Sequence, residues 1–418
     1  MAQLSDDCFA FSGPLLPIEE MERLIQDRVR PVAGTETVAL HHACGRVLAA
    51  DVVAPLNLPP FDNSAVDGYA VRHADLSPEG DSRLVIAGRV AAGHRPTRAL
   101  APGEAIRIFT GAPMPEGADT VFMQEDCRTG GNAVVLPPGL KAGANRRLAG
   151  EDVKAGSVVL PAGRFLSAVD VALAAAIGLT AMEVRRRVRV ALFSTGDEIV
   201  EPGAPRPPSA LFDANRYLLA SLLAHLGAEV TDLGIVADDP EALAQAIGEA
   251  AKTHDLVLTS GGVSTGEADH VRTAVEKIGR LVFWRVAIKP GRPVAMGVVA
   301  GAAFAGLPGN PVAAFVTFVT VVRPLLRRLG GALPQALVAL PVKAAFSYRK
   351  KKGRREYVRV ALRRGADGSV EAVKHPQEGA GVITSLTETD GLAELAEDTI
   401  KIEPGATVGF LSYASLVG

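Results

Sequence analysis

The residues best suited to chemistry lie in short loops behind apolar runs. One loop is Ser194-Thr195-Gly196-Asp197-Glu198. A second is Ser260-Gly261-Gly262-Val263-Ser264-Thr265-Gly266, and a third is Leu307-Pro308-Gly309-Asn310-Pro311. In the second loop Gly261, Gly262 and Gly266 let backbone N–H groups approach an anion closely. Ser260 and Ser264 add hydroxyl donors, and the helix start behind them favours negative charge. Any one of these loops taken alone is better explained as tight-turn chemistry. Several of them behind strands of one domain weigh toward a phosphate site, because ligands of open α/β sheets sit at the carboxyl ends of strands.

Charged residues accompany the loops. Lys289-Pro290-Gly291-Arg292-Pro293 holds cations between prolines, which suits an oxyanion and suits a rigid solvated turn equally. Glu198, Asp238, Asp239 and Asp269 fall near predicted strand ends or helix starts. Asp239 also has a plain role as a helix cap, and Asp269 as a partner of a helix dipole. Carboxylates beside a phosphate commonly share a cation with it, and hard oxygen ligands suit Mg²⁺. The patterns G-x-x-x-x-G-K-[ST] and G-x-G-x-x-G are both absent, which excludes a P-loop NTPase and removes the dinucleotide fingerprint.

Positioning these loops requires alternating strands and helices. Segments 188–193, 229–236, 256–259 and 281–286 read as strands, with 293–299 and 303–307 as a hairpin. Segments 215–226, 240–252, 268–278 and 311–329 read as helices. Asp239 before Pro240 and Asn310 before Pro311 predict N-caps, while Gly227 and Gly330 predict helix stops. Such alternation predicts a doubly wound, mostly parallel sheet covered on both faces.

Around this unit the character changes. Segments 17–29 and 167–177 read as helices that pack together, the second closed by Gly178. Between them 84–86, 105–109, 120–123, 133–136 and 157–160 form a β-rich insertion. After Gly330, strands over 337–343, 357–362, 369–372 and 407–411, with 398–401 as a further one, predict a small β-domain. The run Arg349-Lys350-Lys351-Lys352-Gly353-Arg354-Arg355 reads as a solvated hairpin tip turning at Gly353.

Composition bounds the function. A chain of 418 residues with 48% hydrophobic content can build several cores. A formal net charge of −2 argues against a general nucleic-acid binder. Cys8, Cys44 and Cys127 are far apart and no CxxC occurs, which argues against structural zinc and against a secreted disulfide framework. No signal-like run opens the chain, and the most apolar stretch, 311–322, is too short to span a bilayer. These features predict a soluble protein of a reducing cytoplasm, with no membrane partner.

Several motifs follow one another in an order that resembles a known family. They are Phe61-Asp62-Asn63-Ser64-Ala65-Val66-Asp67-Gly68-Tyr69-Ala70, then Arg107-Ile108-Phe109-Thr110-Gly111-Ala112-Pro113, and segments 143–152, 194–198, 260–269, 288–293 and 307–311. Together they resemble the MoeA family of molybdopterin molybdenumtransferases, which is similar to the E domain of gephyrin. The resemblance implies a multidomain α/β and β protein. A helical linker domain would cover 1–53 and 158–187, and a β-rich lobe 54–157. A MogA-like, molybdopterin-binding α/β domain would cover 188–330, and a small β-barrel 331–418. It also implies a homodimer whose active-site cleft lies between the α/β domain of one subunit and the lobe of the other.

The implied reaction takes molybdate and adenylylated molybdopterin with Mg²⁺, cleaves the phosphoanhydride, releases AMP and leaves molybdenum on the dithiolene sulfurs. Carried over position by position, the catalytic set is Asp67, Thr110, Glu198, Asp238, Asp269 and Lys289, with Mg²⁺ on Asp238, Asp269 or Glu198. Ligand contacts would come from Arg147, Asp152, Ser260, Gly261, Gly262, Ser264, Gly266, Arg285, Arg292, Pro308, Gly309, Asn310 and Pro311. Arg285, which follows Trp284, and Arg292 stand where the family often has Lys, so a planar fork replaces a point charge. Implied protein partners are the molybdopterin adenylyltransferase and downstream cofactor-transfer proteins. Two other readings share the fold: a binding scaffold of the gephyrin type, and an adenylyltransferase that makes the adenylylated intermediate.

Overall fold

The structure is a computed structural model that describes residues 4, 5, 8, 9, 15–262 and 270–417, with Phe283 and Trp284 described in their backbone only. In the α/β region, Arg189–Thr195 pairs in parallel with Glu229–Val236 on one side and Leu256–Ser260 on the other. Ala302–Leu307 extends the sheet in parallel beyond Leu256–Ser260. Pro293–Val299 and Gly279–Arg285 complete the edge as antiparallel strands. The expected hairpin between 293 and 307 therefore forms, and its turn residues Ala300 and Gly301 both take positive φ (49° and 80°), as a tight hairpin turn requires.

All positions of Leu256–Ser260 are buried, because helices cover both faces. Asn215–His225 and the helical segment from Pro311 to Leu329 pack Leu219, Leu223, Phe315, Phe318 and Leu325 on one face. Pro240–Thr253 and His270–Ile278 pack Leu243, Ile247, Val271 and Val275 on the other. The expected helix over 311–329 is interrupted in register. Pro311–Thr317 is α-helical, Phe318–Val322 widens to a π-turn, and Arg323–Leu329 is α-helical again. Pro324 lacks an N–H and its ring crowds the preceding turn, which accounts for the widening.

Two cap expectations need correction. Asp239 caps as expected, its side chain accepting from Ala242 N at 2.9 Å. Asn310 occupies the N-cap position, but its side chain accepts no capping bond. The Val312 N–H instead donates to Ala380 O at 2.9 Å, so a distant loop satisfies the helix start. Gly227 turns left-handed (φ 77°) as expected. Gly330 stays right-handed, and Gly331 (φ 78°) makes the reversal, with Ala332 N donating to Arg327 O at 2.9 Å.

The first helix, Ile18–Arg28, buries Met21 and Ile25 in the α/β core cluster. It does not pack on Ala168–Ala176, which belongs to a separate cluster with Leu48, Leu160 and Val184. That cluster is framed by Thr35–Ala39 paired with Ala181–Arg185, and by Val52–Val53 paired with Val158–Leu160. The β-rich lobe is built on a six-stranded sheet in the order Thr120–Met123, Gly68–Val71, Glu104–Ile108, Ser82–Val90, Ala133–Leu136, Arg128–Gly130, with Asn63–Ser64 paired to Arg146–Arg147 beside it. Gly68–Val71, second from the edge of that sheet, is a strand the sequence reading does not expect. Gly68 is required there, because a Cβ would meet Phe122 O at 1.7 Å.

The C-terminal strands close into a barrel: Arg355–Arg364, Val370–Lys374, Leu340–Ala344, Thr407–Ser412 and Gly391–Leu395, the last pairing back to the first. Gly391–Leu395 was not anticipated, and the expected strand over 398–401 is only the short Lys401–Ile402. The basic run also differs from expectation. Gly353 does turn the hairpin (φ 90°), but Lys350 is buried and donates to Ala396 O at 2.7 Å and Thr399 O at 2.8 Å. Arg355 is paired with Glu19, Glu394 and Glu397. Those residues are structural ties, and Lys351 and Lys352 are the solvated tip.

Candidate active site

The strand order reverses between Arg189–Thr195 and Leu256–Ser260, with Ser194 opposite Ser260 at the carboxyl ends. Such a switch point opens a crevice for ligands. Asn215, the first residue of its helix, ties the crevice together. Its Nδ2 donates to Ser260 Oγ at 2.8 Å and to Gly309 O at 2.8 Å. Asn215 is itself buried, and its Oδ1 has no partner among the described residues. The helix start is held by buried Arg216, which pairs with Asp213, Asp232 and Glu201.

Gly261 N donates to Leu307 O at 3.1 Å, bringing the second and third loops together. Gly261 has φ +90°, and a Cβ there would meet Thr195 O at 2.3 Å. No other residue type fits without moving the first loop, so Gly261 enforces the close approach of backbone that an anion cradle needs. Gly262, Pro308, Gly309, Asn310 and Pro311 continue this rim, with Pro308 buried and Gly309 and Asn310 exposed. Ser264, Gly266 and Asp269 lie outside the described residues.

The acids surround the same crevice. Asp238 is half-buried, and its Oδ1 accepts from Thr195 Oγ1 at 3.2 Å. His270 Nδ1 donates to Asp238 O at 2.6 Å and stands 3.6 Å from Asp238 Oδ1. Glu198 is exposed and folds back over Gly196, whose added Cβ would meet Glu198 Oε2 at 2.7 Å. Asp238 and Glu198 thus both stand by the start of the loop that follows Arg189–Thr195, the one through Thr195 and the other over Gly196.

Lys289 is not a free cation. Ile288–Lys289 pairs in parallel with Arg355 and Glu356 of the barrel. Lys289 Nζ donates to Tyr348 Oη at 3.1 Å and lies 3.3 Å from Glu356 Oε2. Burial works against its charge, but Tyr348 and the Glu356 carboxylate outweigh burial and hold the ammonium above its ordinary range. Glu356, 1% exposed, also accepts from Arg354 Nε at 2.8 Å, so the charge of Lys289 is fixed in place from behind. Gly291 O accepts from Thr317 Oγ1 at 3.3 Å, which seats this segment on the helix that begins at Pro311. Arg285 and Arg292 are exposed.

In the lobe, Asp67 Oδ1 accepts from both Thr110 N and Thr110 Oγ1 at 2.8 Å. The Thr110 N–H, then its hydroxyl, hold the Asp67 carboxyl below the usual carboxylate range. Asp62 accepts from Ala149 N at 2.7 Å and pairs with Arg146, tying the 61–67 loop to the segment that carries Arg147 and Asp152. Arg147 and Asp152 are exposed. Among the described residues no hydrogen bond or ion pair joins these lobe groups to Glu198, Asp238, Lys289 or Ser260. The expected residues therefore form two clusters in one subunit.

A doubly wound sheet with a glycine-rich rim at its switch point, joined to a β-rich lobe and a closed barrel, defines a protein of the multidomain α/β and β class. Models of the MoeA N-terminal region (domain I and II), a probable molybdopterin binding domain and the MoeA C-terminal region (domain IV) match residues 16–178, 191–328 and 341–413. The chain is 38% identical to the molybdopterin molybdenumtransferase of Haemophilus influenzae, over 92% of this chain and 95% of that protein. It is 39% identical to the molybdopterin molybdenumtransferase of Nostoc sp., over 90% and 88%. A solved structure of the molybdopterin biosynthesis moeA protein from Pyrococcus horikoshii OT3 superposes with a TM-score of 0.81 at 29% identity, covering 96% of this chain and 100% of that one. The chain belongs to the MoeA family.

Some contributing residues escaped the sequence. Asn215 was visible only as the first residue of a helix, and a helix-start Asn reads as a cap. Tyr348 and Glu356 carry no local signal, because they reach Lys289 through a strand pairing between domains.

Proposed function

We propose that the protein inserts molybdenum from molybdate into adenylylated molybdopterin, with Mg²⁺ and with release of AMP, in molybdenum cofactor biosynthesis. The observation that carries this reading is the similarity to molybdopterin molybdenumtransferases along nearly the whole chain, including the lobe and the barrel. It favours the transferase over a scaffold and over an adenylyltransferase built from the α/β domain alone.

The rim of Ser260, Gly261, Gly262 and Gly309 offers backbone and hydroxyl donors to the phosphates of the adenylylated substrate. Lys289, held cationic by Glu356 and Tyr348, binds an oxyanion, either molybdate or phosphate. Among the described residues no group of three His, Cys, Asp or Glu is spaced to hold a metal. Mg²⁺ nonetheless fits the donor chemistry, since it commonly takes one or two carboxylates plus substrate phosphates, and Asp238 and Glu198 are the described candidates. When bound, Mg²⁺ neutralises charge on the phosphoanhydride. Asp238 would be oriented for that contact by Thr195 and His270. A water or molybdate oxygen takes up the phosphoryl group as the phosphoanhydride breaks and AMP leaves, and the dithiolene sulfurs displace oxygen ligands of molybdate, which depart as water or hydroxide.

Asp67, Thr110, Arg147 and Asp152 complete the cleft from the lobe of a second copy in a homodimer, and the enzyme works in the cytoplasm. The decisive assay is AMP release from adenylylated molybdopterin by purified protein. Release that needs both molybdate and Mg²⁺ is expected; release indifferent to molybdate would overturn the transferase reading. For the shared cleft, Asp67→Asn and Lys289→Gln proteins are each expected to be inactive. Co-expressed, they should regain part of the activity, because one cleft of each mixed dimer is intact. No regain would place both residues in one subunit's site.

A further inference from the structure

A small pocket opens where the strand Ala181–Arg185 hands the chain over to Arg189–Thr195. Its walls are the loop at Gly45–Val47 with Phe165, the crossing at 185–188, the turn at Gly227 and the end of the 311–329 segment. Five arginines line it: Arg46, Arg185, Arg186, Arg187 and Arg327. No Asp or Glu is among the lining residues.

Two of the five are neutralised by acids outside the pocket. Arg46 pairs with Glu36 and Arg186 with Asp255, and the exposed Glu229 also attracts Arg186. The other three have no carboxylate partner among the described residues. Arg185 Nη1 donates to Ala33 O at 3.3 Å, and Arg187 Nη1 to Gly227 O at 2.9 Å. Arg327 stacks on Phe165 at 5.3 Å, and its Nε is buried with no hydrogen-bond partner among the described residues. Burial pushes the Arg327 guanidinium below its ordinary range, and Glu22 acts on Arg323 and Arg355 instead.

Close packing fixes the pocket's shape. A Cβ on Gly331 would meet Arg185 Nε at 3.3 Å, and one on Gly227 would meet Gly45 O at 2.7 Å and Arg187 Nη1 at 3.4 Å. Arg185 and Arg187 are thus packed against the turns that end two helices. Those helix ends explain part of the basic charge, since each carries roughly half a negative charge. Together they offset about one of the three unpaired guanidiniums. The exposed Glu229 is screened by solvent. An excess of roughly one to two positive charges remains. A volume of about 30 Å³ is far below that of organic-ligand pockets and suits an ion.

We infer that this pocket binds one inorganic tetrahedral oxyanion, phosphate or sulfate, on Arg185, Arg187 and Arg327. Guanidinium forks match the oxygens of such an anion, and its charge matches the local excess. The bound anion fastens the crossing at 185–188 to the end of the 311–329 segment. The pocket lies at the amino end of Arg189–Thr195, whereas the switch point lies at the carboxyl end, so the site does not depend on the transferase reading.

The test measures labelled inorganic phosphate bound to the full-length protein by equilibrium dialysis, with ionic strength held constant by sodium chloride. A Lys289→Gln background removes the switch-point cation from the count. One phosphate per chain should bind there, and sulfate should displace it. Arg327→Met, added to that background, should weaken binding about tenfold or more. Arg187→Gln, at an exposed position, should weaken it likewise and covers the case of an unfolded Arg327→Met. Binding that disappears with Lys289→Gln alone would assign the anion to the switch point and overturn the proposal. So would binding that sulfate does not displace, or equal binding in the Arg187→Gln protein.

Discussion

At the switch point, groups from widely separated segments meet around the buried Thr195, Asn215 and Ser260: Asn215 donates to Ser260 and to Gly309 O, and Thr195 donates to Asp238, across the sheet ends. In the lobe, Asp67 and Thr110 meet at the ends of adjacent strands and stay open to solvent. The first cluster is part of the core, and changing it should cost stability together with function. The second rests on a sheet that folds without it, and changing it should cost function alone. A buried site is thereby pre-shaped, whereas the lobe pair is a cap that a partner surface can complete.

The largest expected effect falls on Lys289. Lys289→Gln should lower AMP release about 10²–10³-fold, the usual cost of losing a charge-stabilising group. Stability should fall by only about 1 kcal/mol, because Arg354 and Tyr348 still satisfy Glu356. Undiminished release would remove Lys289 from the site. Gly261→Ala comes next. Its Cβ collides with Thr195 O in a left-handed conformation, and chemical unfolding should show a loss of about 1–3 kcal/mol or more. A wild-type midpoint would show that the loops are less closely packed than described. Asn215→Ala should cost about 1–3 kcal/mol and raise KM for the adenylylated substrate, since it frees two loops at once. An unchanged KM would make Asn215 a purely structural tie.

Asp67→Asn sharpens the contrast from the other side. Unfolding free energy should stay close to that of wild type while AMP release collapses. A large stability loss would erase the distinction between the two regions. The smallest effect is in pH. The Thr110 N–H and hydroxyl depress the folded Asp67 value below the ordinary 3.8. A depressed carboxyl contributes stability above its unfolded value and loses it as pH falls through the folded one. The small wild-type advantage over Asp67→Asn should therefore vanish in acid below that ordinary value. Urea unfolding in parallel at neutral and acid pH would detect it, and an advantage that grows in acid would contradict the assignment.

Much of this was legible in advance. The alternation of strands and helices from 188 to 329, the cap at Asp239 and the loops at 194–198, 260–262 and 307–311 all follow from local pattern and turn chemistry. The departures share one cause. Asn310 does not cap because Ala380 reaches the helix start first, and Gly331 rather than Gly330 reverses because Ala332 N meets Arg327 O. Lys350 is buried, within a run that looks solvated, because the carbonyls of Ala396 and Thr399 converge on it.

By itself the sequence determined where the elements lie, which loops could hold an anion, and the family to which their order belongs. Periodicity, capping and glycine placement act over a few residues, and so they can be read along the chain. Only the tertiary structure decided that Lys289 is held by Tyr348 and Glu356, that Asn215 joins two loops, and that the buried Nε of Arg323 has no hydrogen-bond partner among the described residues. Those outcomes depend on groups far apart in sequence, and the sheet topology and domain packing alone determine which of them become neighbours.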